Sequence, residues 1–224
     1  KLHAENRLAL VTYPERLNSW DANYDGVEVF NLHTAAKQVN PFVAFFDLLW
    51  SGSSYSELVF AANFKRPDAN LTKYDAIAAT RNVSLFAGTD AHSNIGFHVF
   101  GDDAGHKWIN LKLDRYETMF GILRTHVQLA KDKPLTPDNL IDVVRQGRYF
   151  VGLDVIGDTS GLLFTSGSGA ETKQRGDEVP LTSATELNVF SPASAHIVIF
   201  KNGSKFAEGF GVTQLSARPD SPGT

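Results

Sequence analysis

A short apolar run followed by an acid and a histidine constrains the fold of this chain more than any other feature. The run Val83–Ala87 predicts a buried strand, which Gly88 ends. Thr-Asp-Ala-His follows at 89–92, so Asp90 and His92 come at the carboxyl end of that strand. Parallel α/β proteins collect their catalytic groups at such ends. A carboxylate and an imidazole at this spacing can bind one divalent metal ion, zinc at about 2.0–2.2 Å.

Strands and helices alternate on the amino-terminal side of this motif. Leu8–Tyr13 and Gly26–Phe30 are apolar runs typical of buried strands, and Pro14 closes the first with a turn. Helical spacing predicts helices at Thr34–Val39, Val43–Trp50, Tyr55–Phe64 and Leu71–Arg81, with a break near Pro41. A strand–helix–strand order predicts a parallel sheet covered by helices.

The carboxyl-terminal side of the motif has a different pattern. His92–His106 is predicted as a glycine-rich loop, Lys107–Leu113 as a strand and Arg115–Leu123 as a helix. Thr136–Gln146 carries the clearest helix signals, because Thr136 suits the N-cap, Pro137 the first turn and Gly147 the end.

Short alternating runs begin at Arg148 and predict an antiparallel β module, similar to a sandwich. The predicted strands are Tyr149–Val155, Leu162–Thr165, Glu186–Phe190, Ile197–Lys201 and Lys205–Phe210, and Asn202-Gly203 is a hairpin signal. We therefore expect an α/β unit over residues 1–147, a β module over 148–216 and a loose tail over 217–224.

Composition excludes several function classes. The 224 residues carry a net charge of -4, and the basic residues are scattered, so no nucleic-acid-binding face is expected. The absence of cysteine excludes disulfides, cysteine metal sites and cysteine nucleophiles. The most apolar stretch, Pro41–Trp50, is shorter than the roughly 20 residues that span a bilayer. Neither a dinucleotide fingerprint, a P-loop nor a G-x-S-x-G elbow occurs.

Three segments together resemble a known family. Leu8–Pro14, Asp25–Asn31 (DGVEVFN) and Phe86–Ser93 (FAGTDAHS) are similar, in order and spacing, to the second half of the PHP domain, the polymerase and histidinol phosphatase superfamily. The resemblance implies an α/β fold that forms part of a distorted (β/α)7 barrel, followed in some members by a small β domain. It also implies up to three divalent metal ions (zinc, manganese or iron) and hydrolysis of phosphate esters. Asp90 and His92 match the last metal-ligand pair of the family.

The chain departs from the family pattern in two places. Family members usually end the first of these strands in His-Pro, with the histidine a metal ligand, whereas this chain has Tyr13-Pro14. A tyrosine can ligate as a phenolate, but its ordinary pKa near 10 makes this costly, so Tyr13 is a candidate of unusual type. The opening His-x-His motif of the family is absent, and we expect it to precede Lys1. If the chain is a natural fragment, a separate amino-terminal half-barrel is its expected partner.

Other polar residues are secondary candidates. Glu28 lies in the middle of a predicted strand, where it either orients a metal ligand or is a hydrogen-bonded structural glutamate. His33 follows a strand end and can reach the same rim. Asn94, His98, His106 and Lys107 lie where a substrate phosphate can be held, and His98 is the catalytic candidate among them. Each histidine has a structural alternative, as an exposed or hydrogen-bonded side chain.

These observations predict a metal-dependent hydrolase of phosphate esters or related esters, with a small-molecule substrate. Asp90 and His92 are the predicted metal ligands, and Tyr13 and His98 the further site candidates. The alternative is a catalytically inactive PHP scaffold whose β module binds a protein or carbohydrate partner.

Overall fold

The computed structural model describes residues 2–36, 40–51, 54–62, 64–92, 96–98, 110–112, 115–167 and 172–224. Its strands are β1 (Leu10–Val11), β2 (Gly26–Asn31), β3 (Ser84–Gly88), β4 (Gly96–His98), β5 (Asn110–Lys112), β6 (Arg124–Val127), β7 (Tyr149–Gly152), β8 (Leu163–Ser166), β9 (Lys173–Gln174), β10 (Leu187–Lys201) and β11 (Ser204–Ala217). Its helices are α1 (Leu32–Ala36), α2 (Pro41–Ser51), α3 (Ser56–Ala61), α4 (Asp68–Ala78), α5 (Tyr116–Ile122) and α6 (Pro137–Arg145).

A three-stranded parallel sheet carries the amino-terminal part, in the order β1-β2-β3. The central strand β2 is buried over its first four residues, as central parallel strands commonly are. These residues are apolar except for Glu28. Val27, Val29 and Val83 form the core there with Tyr24. The parallel pairing follows the prediction from the strand–helix–strand order. Among the described residues, this sheet does not close into a barrel.

A second core lies around the start of α1 and the end of α5. Leu32, Met119 and Ile122 are fully buried, and Leu123 joins them. Partly buried apolar residues of the neighbouring strands pack against this group, among them Phe30 and Ala87. The second core thereby fixes α1 against the carboxyl ends of β2 and β3.

Two small antiparallel sheets follow. β4 pairs with β5, so residues 96–98 form a strand inside the segment that we expected to be a glycine-rich loop. That expectation is wrong at 96–98, and residues 99–106 lie outside the described part of the chain. β6 pairs with β7, from Arg124↔Gly152 to Val127↔Tyr149. β7, which we grouped with the β module, thus pairs with a strand that precedes residue 148.

The β module is a four-stranded antiparallel sheet in the order β11-β10-β8-β9. Two predicted strands, Glu186–Phe190 and Ile197–Lys201, are one strand, β10, which stays paired to β11 across register shifts. At the predicted hairpin, Asn202 (φ 51°) and Gly203 (φ 76°) are both left-handed, as a type I′ turn requires. The tail is not loose: the Asn202 N–H donates to the Thr224 carbonyl at 2.8 Å, and Lys201 pairs with Asp220.

The predicted cap of α6 is confirmed, since Thr136 Oγ1 accepts the Asn139 N–H at 3.3 Å. α1 begins at Leu32, two residues before the predicted start, and residues 37–39 lie outside the described part. None of the described helices has the length and apolar character needed to cross a membrane, which agrees with the prediction.

Candidate functional site

The candidate site lies at the carboxyl ends of β1, β2 and β3. Tyr13 follows β1, Asn31 ends β2 and Asp90 follows β3. Because the three strands are parallel, these residues meet at one edge of the sheet. The Tyr13 hydroxyl donates a hydrogen bond to Asp90 Oδ2 across 77 residues of sequence. The structure thus brings together two of the residues that the sequence singled out.

Both of these residues have a left-handed backbone conformation, with φ 51° at Tyr13 and φ 49° at Asp90. Aspartate tolerates this region because its short side chain can hydrogen-bond locally, whereas a bulky residue such as tyrosine rarely adopts it. Such conformations persist only where surrounding contacts enforce them, and they concentrate at functional sites.

His92 is oriented by the main chain of its own turn. Its Nδ1 lies 2.6 Å from the Asp90 carbonyl oxygen and 3.5 Å from Asp90 Oδ1. When Nδ1–H donates to that carbonyl, Nε2 keeps its lone pair, which is the state that a metal ligand needs. Half of the His92 side chain is exposed. The residue therefore keeps Nε2 as its available nitrogen, while Nδ1 faces Asp90.

The environment of Asp90 favours its charged form. Burial alone raises the pKa of Asp90, but the hydrogen bond from Tyr13, the nearby His92 and His33, and a hydrogen bond from Asn31 together bring it below its ordinary value. The same bond to Asp90, followed by burial, raises the pKa of Tyr13. The proton thus stays on the tyrosine, which disfavours a phenolate, and the charge stays on Asp90.

Glu28 lies in the middle of β2 and contacts both Tyr13 and Asn31. It is 5% exposed, its Oε2 accepts the Tyr13 N–H at 3.4 Å, and both of its oxygens accept Asn31 Nδ2 at 3.4 Å. Gly88 makes room for it, because a Cβ there would lie 2.5 Å from Glu28 Oε1. Burial is the main reason that the pKa of Glu28 is raised. Both predicted roles, a structural glutamate and a residue that orients a metal ligand, stay open. Glu28 is hydrogen-bonded to its neighbours, and one of these neighbours, Tyr13, contacts Asp90.

His33 is brought to the site, as its position after the strand suggested. It is 5% exposed, and its ring centroid lies 5.2 Å from that of His92 at an interplanar angle of 51°. The main-chain N–H of His33 donates to the Thr89 carbonyl at 3.2 Å. Sequence reasoning missed Asn31, although an asparagine between a strand and a helix is an N-cap signal.

A cleft of about 620 Å³ adjoins these residues on the β2 side. Glu28 and Asn31 are among its lining residues, together with two cations, Lys65 and Arg66, and two further acids, Glu15 and Asp68. The cleft is thus a polar one with charges of both signs, at the end of the sheet where α/β proteins bind ligands.

The other candidates are placed only in part. His98 ends β4, but its side chain lies outside the described part of the structure, as do the whole of Asn94, His106 and Lys107. Within the described ranges, no three histidine, aspartate or glutamate side chains gather closely enough to hold a metal ion. The described candidate ligands are therefore Asp90 and His92, as a pair.

A second polar cluster, which sequence reasoning missed, joins β6 to the turn after β7. The Asp154 side chain is 5% exposed and accepts hydrogen bonds from Thr159 Oγ1 at 2.6 Å and Arg124 at 3.2 Å. His126 Nε2 lies 3.1 Å from Asp154 Oδ2. Gly152 gives this cluster its space, since a Cβ there would lie 2.2 Å from Thr159 Oγ1. No motif surrounds His126, so nothing in the sequence indicated the cluster.

Comparison with protein-family models finds no match, and comparisons with curated proteins and with solved structures find none either. The resemblance to the PHP domain therefore stays a prediction. The function has to be argued from the site itself.

Proposed function

We propose that this chain contributes the carboxyl-terminal half of a PHP-type site, in a metal-dependent hydrolase of phosphate esters or related esters. The observation that carries the proposal is the Asp90–His92 pair at the carboxyl end of β3, beside the strand whose residues Glu28 and Asn31 line a cleft. Asp90 is held in its charged form, and the Nδ1 contact of His92 leaves Nε2 available.

The chemistry of this pair suits a divalent ion such as zinc, manganese or iron, with one oxygen of Asp90 and Nε2 of His92 as ligands. Catalytic zinc normally has three protein ligands, so the pair supplies part of a site rather than a whole one. When bound, such an ion polarises a phosphoryl oxygen and lowers the pKa of its water towards about 7.

The remaining residues of the site bind and orient. Tyr13 holds one oxygen of Asp90, which leaves Oδ1 on the side of His92. Lys65 and Arg66 line the cleft and can offset the charge of a phosphate, although Arg66 is also paired with Asp68 at 3.0 Å. Glu28 adds a carboxyl group that burial favours in its neutral form.

The test is made on protein expressed from the natural start codon, and it measures Mn²⁺ binding by calorimetry and hydrolysis of p-nitrophenyl phosphate, with and without Mn²⁺. We expect Asp90→Asn and His92→Ala to lose the metal-dependent rate and most of the Mn²⁺ affinity while the circular dichroism spectrum is kept. His196→Ala is the matched control, because this half-exposed histidine lies in the β module. Rates for the two site variants equal to those of the wild type would overturn the proposal.

A second candidate, an inactive scaffold whose β module binds a protein or carbohydrate, is favoured by two observations. Tyr13 donates a hydrogen bond to Asp90 in a place where the family has a metal-ligating histidine. In the β module, Phe210 is 71% exposed and stacks on His196, with centroids 4.0 Å apart, which forms a flat aromatic surface. A well-folded wild type that binds no Mn²⁺ would favour this candidate, and Phe210→Ala would then test the β module.

A further inference from the structure

We propose that Asn31 and His33, which flank the start of α1, are positioning residues for the Asp90–His92 pair. The inference rests on the proposed function and adds two residues to it. Neither residue is placed by the resemblance as a ligand. Asn31 pairs in the sheet with Gly88, just before the turn that carries the pair, and His33 contacts that turn directly.

Asn31 is held in one orientation. Its Oδ1 accepts the Thr34 N–H at 2.9 Å and so caps α1. Because an amide has its oxygen on one side and its NH2 on the other, this cap directs the NH2 group towards the carboxylates. Nδ2 contacts both oxygens of Glu28 at 3.4 Å, and Asn31 is among the polar groups that lower the pKa of Asp90. A single amide thus connects the helix start to the buried carboxyl group of Glu28, which also accepts the Tyr13 N–H.

His33 fixes the same turn at two points. Its main-chain N–H donates to the carbonyl of Thr89, the residue before Asp90, and its buried ring packs against the ring of His92. Asp90 has a left-handed backbone, a conformation that needs support from its surroundings. The main chain of His33 therefore ties α1 to this turn, and we assign the His33 ring to the support of the ring direction of His92.

The structure favours positioning over direct ligation for these residues. His33 is 5% exposed, whereas half of the His92 side chain is open to solvent. Within the described residues, His33 does not complete a group of three metal-binding side chains. Its effect on an ion would pass through His92, as the residues behind metal ligands commonly act.

The variants are chosen to keep the fold. Asn31→Ser keeps an N-cap hydroxyl for α1 and the net charge, but loses the NH2 group that reaches the carboxylates. Its control is Asn188→Ser, the same change in β10, where the residue accepts a hydrogen bond from Ser216. His33→Ala removes the ring contact with His92, and His33→Phe restores a ring of similar size.

Two measurements are made on the full chain. Long-range ¹H–¹⁵N spectra of the metal-free protein report which nitrogen of His92 carries the proton, and calorimetry gives the Mn²⁺ affinity. In the wild type we expect the proton on Nδ1. In Asn31→Ser and His33→Ala we expect shifted His92 ring signals and an affinity about 10- to 100-fold weaker. His33→Phe should recover most of the affinity, and Asn188→Ser should match the wild type.

The outcomes separate this inference from the proposed function. Wild-type protein that binds no Mn²⁺ would refute the proposed function, while the His92 ring signals of the metal-free variants still decide whether Asn31 and His33 position that ring. Wild-type binding together with unchanged ring signals and affinity in His33→Ala and Asn31→Ser would refute the positioning role alone.

Discussion

The buried Asp154 carboxylate supports a stability prediction that is independent of any function. Asp154→Asn keeps the size of the side chain but replaces one acceptor oxygen by an NH2 group. The NH2 group must then face an obligate donor on one side or the other: either the main-chain N–H of Thr159, at 3.4 Å from Oδ1, or Arg124, at 3.2 Å from Oδ2. The cluster therefore loses the charge and at least one hydrogen bond.

The magnitude follows from burial and from the partners. Loss of the charge-assisted hydrogen bonds of a buried carboxylate should lower the free energy of unfolding by about 2–4 kcal/mol. This range lies between the effect of one unsatisfied buried group and that of a broken buried ion pair. Arg124 adds little to this, because 58% of its side chain is exposed. With a urea dependence of about 3 kcal/mol per molar, the unfolding midpoint should fall by about 1 M.

The assay is urea unfolding followed by circular dichroism at pH 7. The control is Asp142→Asn, an exposed acid paired with Arg145 in α6, for which a change below about 0.5 kcal/mol is expected. If the midpoint of Asp154→Asn stays at the wild-type value, the cluster does not contribute to stability and the reasoning is wrong.

The same residue predicts a pH dependence. Burial raises the pKa of Asp154, but the hydrogen bonds from Thr159 and His126 and the charge of His126 bring it below its ordinary value. An unfolded aspartate titrates at about 3.9, so the stabilisation by this carboxylate is present above that pH and is lost as the pH falls through the lower folded value. The difference in free energy of unfolding between wild type and Asp154→Asn should thus be larger at about pH 5 than at about pH 3, in unfolding curves measured at both.

Three further substitutions can be measured by the same unfolding assay. Gly152→Ala should destabilise the fold, since its Cβ would lie 2.2 Å from Thr159 Oγ1, and a wild-type midpoint would contradict this. Gly121→Ala in α5 should stabilise by about 0.5–1 kcal/mol, because the new methyl group meets no atom within 4 Å, and a loss of stability would contradict it. Thr136→Ala should cost about 1 kcal/mol through loss of the bond to the Asn139 N–H, whereas Thr136→Ser should cost less.

Local signals in the sequence predicted several elements correctly. The apolar run before Gly88 is β3, and it delivers Asp90 and His92 to the edge of the parallel sheet. The turn at Asn202-Gly203 was predictable because a type I′ turn needs left-handed residues at both central positions. Such features depend on a few neighbouring residues, so a single sequence suffices to find them.

Pairing between distant segments could not be predicted in this way. β6 is polar and largely exposed, so no alternating apolar pattern marks it as a strand. Its pairing with β7 depends on a segment that is distant in the sequence. For the same reason the Asp154 cluster, which joins β6 to the turn after β7, leaves no pattern of spacing. The contact of the last residue with the hairpin was not predictable either. It is made by the main chain of Thr224, whose oxygen accepts the Asn202 N–H, so no particular side chain at position 224 indicates it.

The last prediction concerns Tyr13, the side chain that hydrogen-bonds the predicted metal ligand Asp90. The resemblance indicates a tyrosine in the place of a ligating histidine, and the structure shows its hydroxyl donating to Asp90 Oδ2. Because this bond occupies Oδ2 and leaves Oδ1 for an ion, we expect Tyr13 to orient Asp90 for metal binding. Tyr13→Phe should therefore raise the pKa of Asp90 and weaken Mn²⁺ binding in calorimetry. Stronger binding would mean instead that the hydroxyl competes with the ion for the carboxylate, and that the tyrosine closes the site.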